Sequence, residues 1–259
     1  MLKKIVDAKR EELSLLKGKR GVAELRSMAL DKEAPLNFTE AIKRRESGGT
    51  RIIAEIKRMS PSRGIIREDF DPVSIAKIYQ AGGVAAVSCL TEKNFFGGDI
   101  GYLQKIRGEL TVPLLRKDFI VDEYQIVESR AFGADAFLLI AAILDRNQMK
   151  EYIAMGRELG MEPLVEVHSE EELDLITDSG ALVVGINNRD LKTFKTDVAV
   201  TERLIERLGT GYISVSESGI FNRDDIERLE GCGVDAFLIG EAIMRETDMA
   251  SKLSQLIGG

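Results

Sequence analysis

The chain has 259 residues, of which 44% are hydrophobic and 31% charged, and its formal net charge is −7 at pH 7. A length near 250 residues suits one α/β barrel, or two small domains. The acidic balance excludes a general nucleic-acid footprint, and no apolar run reaches the ~20 residues needed to span a bilayer.

The N-terminal segment "MLKKIVDAKREELSLLK" is charged throughout and lacks the apolar core of a signal peptide. Its apolar positions Leu2, Ile5, Val6, Leu13 and Leu16 fit an amphipathic helix packed on the body of the protein. Residues 1–50 are expected to form extra helices covering one end of the fold, with "GKRG" (18–21) and "ESGGT" (46–50) as loops. From Arg51 onward, β-branched runs alternate with amphipathic segments. The candidate strands are "RIIAEIK", "VAAVSCL", "PLLRK", "DAFLLI", "PLVEV", "LVVGIN", "YISVSE" and "DAFLIG". Between them, "DPVSIAKIYQAG", "VDEYQIVESRAFG", "RNQMKEYIAMGRELG" and "NRDDIERLEGCG" read as helices. Strands alternating with helices imply right-handed βαβ units and a parallel sheet. Gly83, Gly133, Gly180 and Gly233 lead similar strands at intervals of 50, 47 and 53 residues, each interval long enough for two units. Eight units predict a closed (β/α)₈ TIM barrel, a single domain over residues 1–259 with 1–50 as a helical N-terminal extension. The alternative, an open Rossmann-like sheet, lacks a GxGxxG after an early strand.

Active sites of such barrels sit at the C-terminal ends of the strands. In the first strand, Ile53, Glu55 and Lys57 share one face and Ile52, Ala54 and Ile56 the other. Lys117 ends the third strand on the parity of Leu115, and Glu166 the fifth on that of Leu164. Asn187 ends the sixth on the parity of Val183 and Gly185, and Glu217 the seventh on that of Val215. Each alone reads as a solvated strand end or a structural ion pair. Together, on a closed barrel, they form one cluster of carboxylates and ammoniums at one mouth. Buried charges are costly unless paired, and mutual coupling can tune them for acid–base work. Ser218 and Gly219 after the seventh strand, and Gly240 and Glu241 after the eighth, read as a phosphate cradle, with Ser60 closing it from the first strand. A phosphate site facing acid–base groups implies a phosphorylated small metabolite.

The segments "IIAEIKRMSPSRG", "LLRKDFIVDEYQI", "MEPLVEVH", "GINNRDL", "VSESGI" and "AFLIGEAIMR" closely resemble indole-3-glycerol phosphate synthases of tryptophan biosynthesis, over nearly the whole chain. The resemblance implies a lyase that converts 1-(2-carboxyphenylamino)-1-deoxyribulose 5-phosphate to indole-3-glycerol phosphate, CO₂ and water, with no cofactor and no metal. It implies Lys117 as the general acid on the substrate carbonyl. Glu166 and Lys57 become acid candidates for dehydration, with Glu55 as partner or base. Asn187 and Glu217 would orient the sugar hydroxyls and the catalytic ions. Arg189, Phe96, Phe119 and Pro61 would form the aromatic pocket. Glu241 stands where some members carry Ser or Thr, and is expected to offer its backbone N–H while its side chain turns away from phosphate.

Two other readings stay open at this point. One is a sugar-phosphate isomerase of a sibling barrel family such as phosphoribosylanthranilate isomerase, for which Cys89 would be a candidate group. The other is a non-catalytic phosphate-binding barrel, which would not need Glu55, Lys57, Lys117 and Glu166 together. His168 reads as structural: it precedes Ser169, which with Glu172 forms a capping-box pattern. The loop "SPSRG" (60–64) is expected to be mobile over the substrate. Cys89 and Cys232 lie far apart and in no CxxC pair; with a single His, a zinc site is not expected and a reduced, cytoplasmic protein is. The expected partner is a phosphorylated small molecule, with no nucleic acid and no membrane, and the chain is expected to act as a monomer or at most a weak homodimer.

Overall fold

The computed structural model describes residues 1–45, 48–190 and 195–258; Glu46 and Ser47 of the "ESGGT" loop and Leu191 of "GINNRDL" lie outside the described residues. Eight parallel strands close into a barrel. They are β1 (Ile52–Ile56), β2 (Ala86–Leu90), β3 (Leu114–Lys117), β4 (Ala136–Ile140), β5 (Glu162–Val167), β6 (Val183–Asn187), β7 (Ile213–Glu217) and β8 (Ala236–Ile239). Every predicted strand forms, and β1 pairs with both β2 and β8, so the sheet has no open edge.

The helices are α1 (Leu2–Lys19), α2 (Val22–Leu30), α3 (Phe38–Ile42), α4 (Pro72–Ala81), α5 (Gly101–Arg107), α6 (Glu123–Ala131), α7 (Arg146–Glu158), α8 (Glu170–Ile176), α9 (Ala199–Leu208), α10 (Arg223–Gly231), α11 (Glu241–Met244) and α12 (Met249–Ile257). Their starts follow from capping side chains that satisfy otherwise orphaned N–H groups. Asp71 caps α4 ahead of Pro72, and reciprocal boxes open α7 (Asp145 with Gln148) and α10 (Asn222 with Asp225). Gly83, Gly133 and Gly233 follow helix ends with positive φ, the left-handed stop that favours glycine. The predicted "GKRG" loop contracts to Arg20–Gly21, because α1 continues through Gly18 and the Arg20 N–H still bonds Leu16 O.

Two apolar layers organise the interior. Ile52, Ala54 and Ile56 face outward into the shell between strands and helices. Ile53, Leu115, Leu138, Leu164, Val183, Val215 and Leu238 point inward and fill the barrel. The two-residue period of the strand puts the charged residues at the strand ends directly above this inner layer. The extension reaches both ends of the barrel, where the sequence predicted one. Phe38 and Ile42 of α3 join the inner cluster and plug the end where the strands begin. Met1 and, in α1, Leu2 and Ile5 reach the opposite mouth. The helix between them, α2, runs along α6 on the outside and carries the chain from one end to the other. Lys9 anchors α1 on Asp118 at 3.1 Å and Lys17 anchors it on Asp122 at 2.7 Å. After β1, the segment expected as a mobile loop forms a small antiparallel hairpin, with Ser60 paired to Gly64. Among the described residues no helix is long and apolar enough to cross a membrane.

Phe38 is 1% exposed and fills the base of the barrel. Phe38→Ala is expected to lower unfolding stability by about 3–5 kcal/mol, as a cavity-forming aromatic truncation does. A urea titration checks this; a loss below about 1 kcal/mol would show that α3 is not part of the cooperative core.

Candidate active site

The polar ends of five strands meet at one mouth, four of them charged. On β1, Lys57 Nζ lies 2.5 Å from Glu55 Oε2. Across the barrel, Lys117 of β3 reaches both Glu166 Oε2 of β5, at 3.0 Å, and Glu217 Oε2 of β7, at 2.7 Å. Strand register places them together: Ile140 pairs with Glu166, Glu166 with Gly185, and Asn187 with Glu217. Two glycines make room for these carboxylates, because a Cβ at Gly185 would overlap Glu217 and one at Gly240 would overlap Glu55. Every residue expected at the site lines the resulting cleft, from Glu55 and Lys57 to Gly240 and Glu241.

Burial works against the ammonium of Lys117, but Glu166, Glu217 and Glu55 outweigh it and hold its pKa well above that of an ordinary lysine. Burial also opposes ionisation of Glu166. Lys117 and His168 overcome that and hold Glu166 well below the usual carboxylate range. Glu217 behaves differently. Burial dominates, Lys117 offsets it only in part, and the nearby charges of Glu166 and Glu55 push further, to about 7. Its Oε1 is buried with no hydrogen-bond partner among the described residues. Two carboxylates on one ammonium are thus unequal: Glu166 stays ionised and Glu217 can hold a proton near neutrality.

The cleft has an aromatic wall and a polar rim. Phe96 and Phe119 face each other with ring centroids 6.0 Å apart. Pro61 and Ser60 approach from the hairpin after β1, and Ser60 Oγ is buried with no partner among the described residues. After β7 the chain turns through Ser218 and Gly219, with φ of 67° and 77°. Ser218 is the one non-glycine residue with positive φ among the described residues, a conformation that costs about 1–3 kcal/mol and needs support. Asn188 supplies it: its Nδ2 donates to Ser218 O and to Ser216 Oγ, both at 3.0 Å. Asn187 Oδ1 accepts the Arg189 N–H at 3.0 Å, and Arg189 reaches Ser62 Oγ at 3.0 Å.

Glu241 does not turn away from the cleft. Its carboxylate lies 3.2 Å from Arg63, 3.3 Å from Arg189 and 3.4 Å from Arg245. Three guanidinium groups around one buried carboxylate leave the local balance positive, so its charge does not argue against an anion bound nearby.

Residues not expected from the sequence also build the site. Glu92 accepts the backbone N–H groups of Asn94, Phe95 and Phe96 at 3.0, 2.7 and 3.0 Å, and so fixes the turn that carries Phe96. Asp118 ties down the segment between Lys117 and Phe119. It accepts from Thr91 Oγ1 at 2.6 Å and Arg116 at 3.1 Å and pairs with Lys9. Only α1 gives a visible signal for its part, the apolar stripe containing Leu2 and Ile5. His168 contacts Glu166 as well as Glu172. Its sequence signal was parity, since residues two apart on a strand share a face. The helix start nonetheless follows the expectation in part: Ser169 Oγ accepts the Glu172 N–H, while the Glu172 carboxylate takes the N–H of His168. Cys89 is buried in the outer shell, its thiol pushed up by burial, and lies away from the mouth where an isomerase would use it.

Comparison with known proteins gives one consistent match. The family model described as indole-3-glycerol phosphate synthase covers residues 2–256. A protein of that name from Desulfosudis oleivorans is 46% identical over 258 residues, covering 99% of this chain and 98% of the relative. One from Chlorobium phaeovibrioides is 46% identical over 250 residues, 96% of each chain. One from Acetivibrio thermocellus is 50% identical over 221 residues, 85% of this chain and 84% of the relative.

The unequal carboxylates can be read directly. In protein labelled with ¹³C at glutamate carboxyls, one buried signal is expected to titrate near pH 7 and to vanish in Glu217→Gln. Persistence of that signal in Glu217→Gln and its loss in Glu166→Gln would reverse the assignment.

Proposed function

The chain belongs to the indole-3-glycerol phosphate synthase family, a carboxy-lyase of tryptophan biosynthesis acting on a phosphorylated small molecule, and from that premise we propose that Lys117 is the general acid of its ring closure. The observation that carries this is the ammonium of Lys117 held between Glu166 and Glu217 on the floor of the cleft.

Ring closure of 1-(2-carboxyphenylamino)-1-deoxyribulose 5-phosphate joins the carboxyl-bearing aromatic carbon to the ketose carbonyl carbon. The carbonyl oxygen gains charge as that bond forms and takes a proton from Lys117. Glu166, ionised beside Lys117, steadies the ammonium before transfer, and Glu217, 2.7 Å away and able to hold a proton near neutrality, can return one to Lys117 afterwards. The C–CO₂⁻ bond then breaks, its electron pair returning to the ring system. Loss of the new hydroxyl as water completes the indole. Lys57 is placed to protonate that hydroxyl, and Glu55, 2.5 Å from Lys57, to take up the balancing proton. This role for Lys57 leaves Glu166 out of the acid function, since a carboxyl held ionised is a poor proton donor.

Binding divides the cleft. Phe96, Phe119 and Pro61 pack on the anthranilate ring and keep water from it. Ser60, Ser218, Gly219 and Gly240 hold the phosphate, with the backbone N–H of Glu241 at the start of α11. Arg189, positioned by Glu241 and Asn187, faces the substrate carboxylate, and Asn187 and Glu217 orient the sugar hydroxyls. The cleft is walled within this chain, which fits action as a monomer or at most a weak homodimer, and its free cysteines, Cys89 and Cys232, fit a cytoplasmic setting.

Lys117→Met is expected to fold and to lose about 10²–10⁴ in kcat, the usual contribution of a positioned general acid. Product indole fluorescence measures turnover and circular dichroism confirms the fold. A loss below about tenfold would reject Lys117 as the acid.

A further inference from the structure

His168 follows β5 directly and lies behind Glu166, outside the lining of the cleft. Its Nδ1 is 3.1 Å from Glu172 Oε2, a hydrogen bond, and its Nε2 is 3.3 Å from Glu166 Oε1, an ion pair without an aligned hydrogen bond. Glu172 Oε2 also accepts the backbone N–H of His168 at 2.7 Å, which locks that carboxylate onto the residue. Each ring nitrogen therefore faces a carboxylate oxygen, and an ionised carboxylate can only accept. A neutral ring would present a lone pair to one of the two; the imidazolium suits both. Burial opposes the charge, but Glu166 and Glu172 outweigh it and raise the pKa to about 10. Behind Glu166 stand Lys117 of β3 and, beyond it, Glu217 of β7. Glu170 of α8 turns instead to Arg203 and Arg207.

We propose that His168 is a positioning residue for the reaction: as an imidazolium between Glu172 and Glu166, it keeps Glu166 ionised on Lys117, so that the shared proton of the mouth resides on Glu217. Without it, two buried carboxylates would share one ammonium on nearly equal terms. With it, Glu166 has two cations, Lys117 and His168, whereas Glu217 has Lys117 alone. The ionised Glu166 keeps Lys117 charged until the substrate carbonyl arrives, and the proton on Glu217 confines that pull to one carboxylate. This inference rests on Lys117 being the acid, a role that Lys117→Met tests independently of His168.

The chain has one histidine, so its ¹⁵N ring resonances need no assignment. Both nitrogens are expected to stay protonated to about pH 9 in the folded protein, against an ordinary histidine pKa of about 6.5. The pairing also stabilises the fold, fully below pH 6.5 and no longer once pH has risen through about 10. His168→Asn keeps a donor but no charge. Its kcat at pH 7.5 is expected to fall about tenfold with KM little changed, and the acid limb of kcat to move up by about one pH unit as Glu166 becomes protonatable. Glu172→Gln, on the far side of the ring from the cleft, is expected to give the same shift, smaller. Should His168→Asn fail to fold, Glu172→Gln and the wild-type titration decide. A histidine titrating near 6.5, or variants that melt lower but keep kcat and its pH profile, would overturn the proposal.

Discussion

The ammonium of Lys117 sits 3.0 Å from Glu166 and 2.7 Å from Glu217, inside a barrel whose lower layers are hydrocarbon. Taking such ions from water costs several kcal/mol each unless the geometry repays it. The surrounding structure supplies that geometry. Closure of the sheet brings β3, β5 and β7 to one mouth. Gly185 leaves the space that Glu217 fills. Asp118, held by Thr91, Arg116 and Lys9, fixes the chain on which Lys117 stands. The N-terminal segment therefore does two things at once: Lys9 braces the segment that carries Lys117 from behind, while Met1, Leu2 and Ile5 wall the cleft in front.

The remainder of the cleft complements that charge cluster. The Phe96–Phe119 wall lowers the local polarity, which strengthens every electrostatic interaction at the floor. The rim carries the opposite bias. Arg63, Arg189 and Arg245 converge on one carboxylate, Glu241, and leave a positive balance beside the turn at Ser218–Gly219. A substrate with a phosphate at one end and a carboxylated ring at the other would meet a matching environment at each end.

Much of this was legible in the sequence because strands obey a strict period of two. Leu115 and Lys117, Leu164 and Glu166, and Val215 and Glu217 each differ by two, so an inward hydrocarbon neighbour identified each inward charge. The strand count, with the capping residues between strands, was enough to close the barrel. What stayed hidden depends on contacts between residues distant in the chain. Lys9 and Asp118 are separated by more than a hundred positions, and nothing local marks them as partners. Phe38 and Ile42 looked like part of a cover for one end, yet they fill the end opposite the mouth, because α2 carries the chain along the outside of the barrel. Glu241 was read from its neighbour, the expected phosphate turn, whereas Arg63 and Arg189 from other segments, with Arg245 one turn on, set its direction. His168 had the right parity, but the helix start at Ser169 offered a sufficient local explanation for it.

The most direct test is a crystal structure of the chain with a substrate analogue whose ketose carbonyl is reduced to the alcohol. The predicted result places that oxygen within hydrogen-bond distance of Lys117 Nζ, the phosphate on the Ser218–Gly219 and Gly240 backbone, and the ring against Phe96 and Phe119. An analogue bound with its oxygen out of reach of Lys117, and Lys117 still closed on both carboxylates, would contradict the assignment of this lysine as the acid.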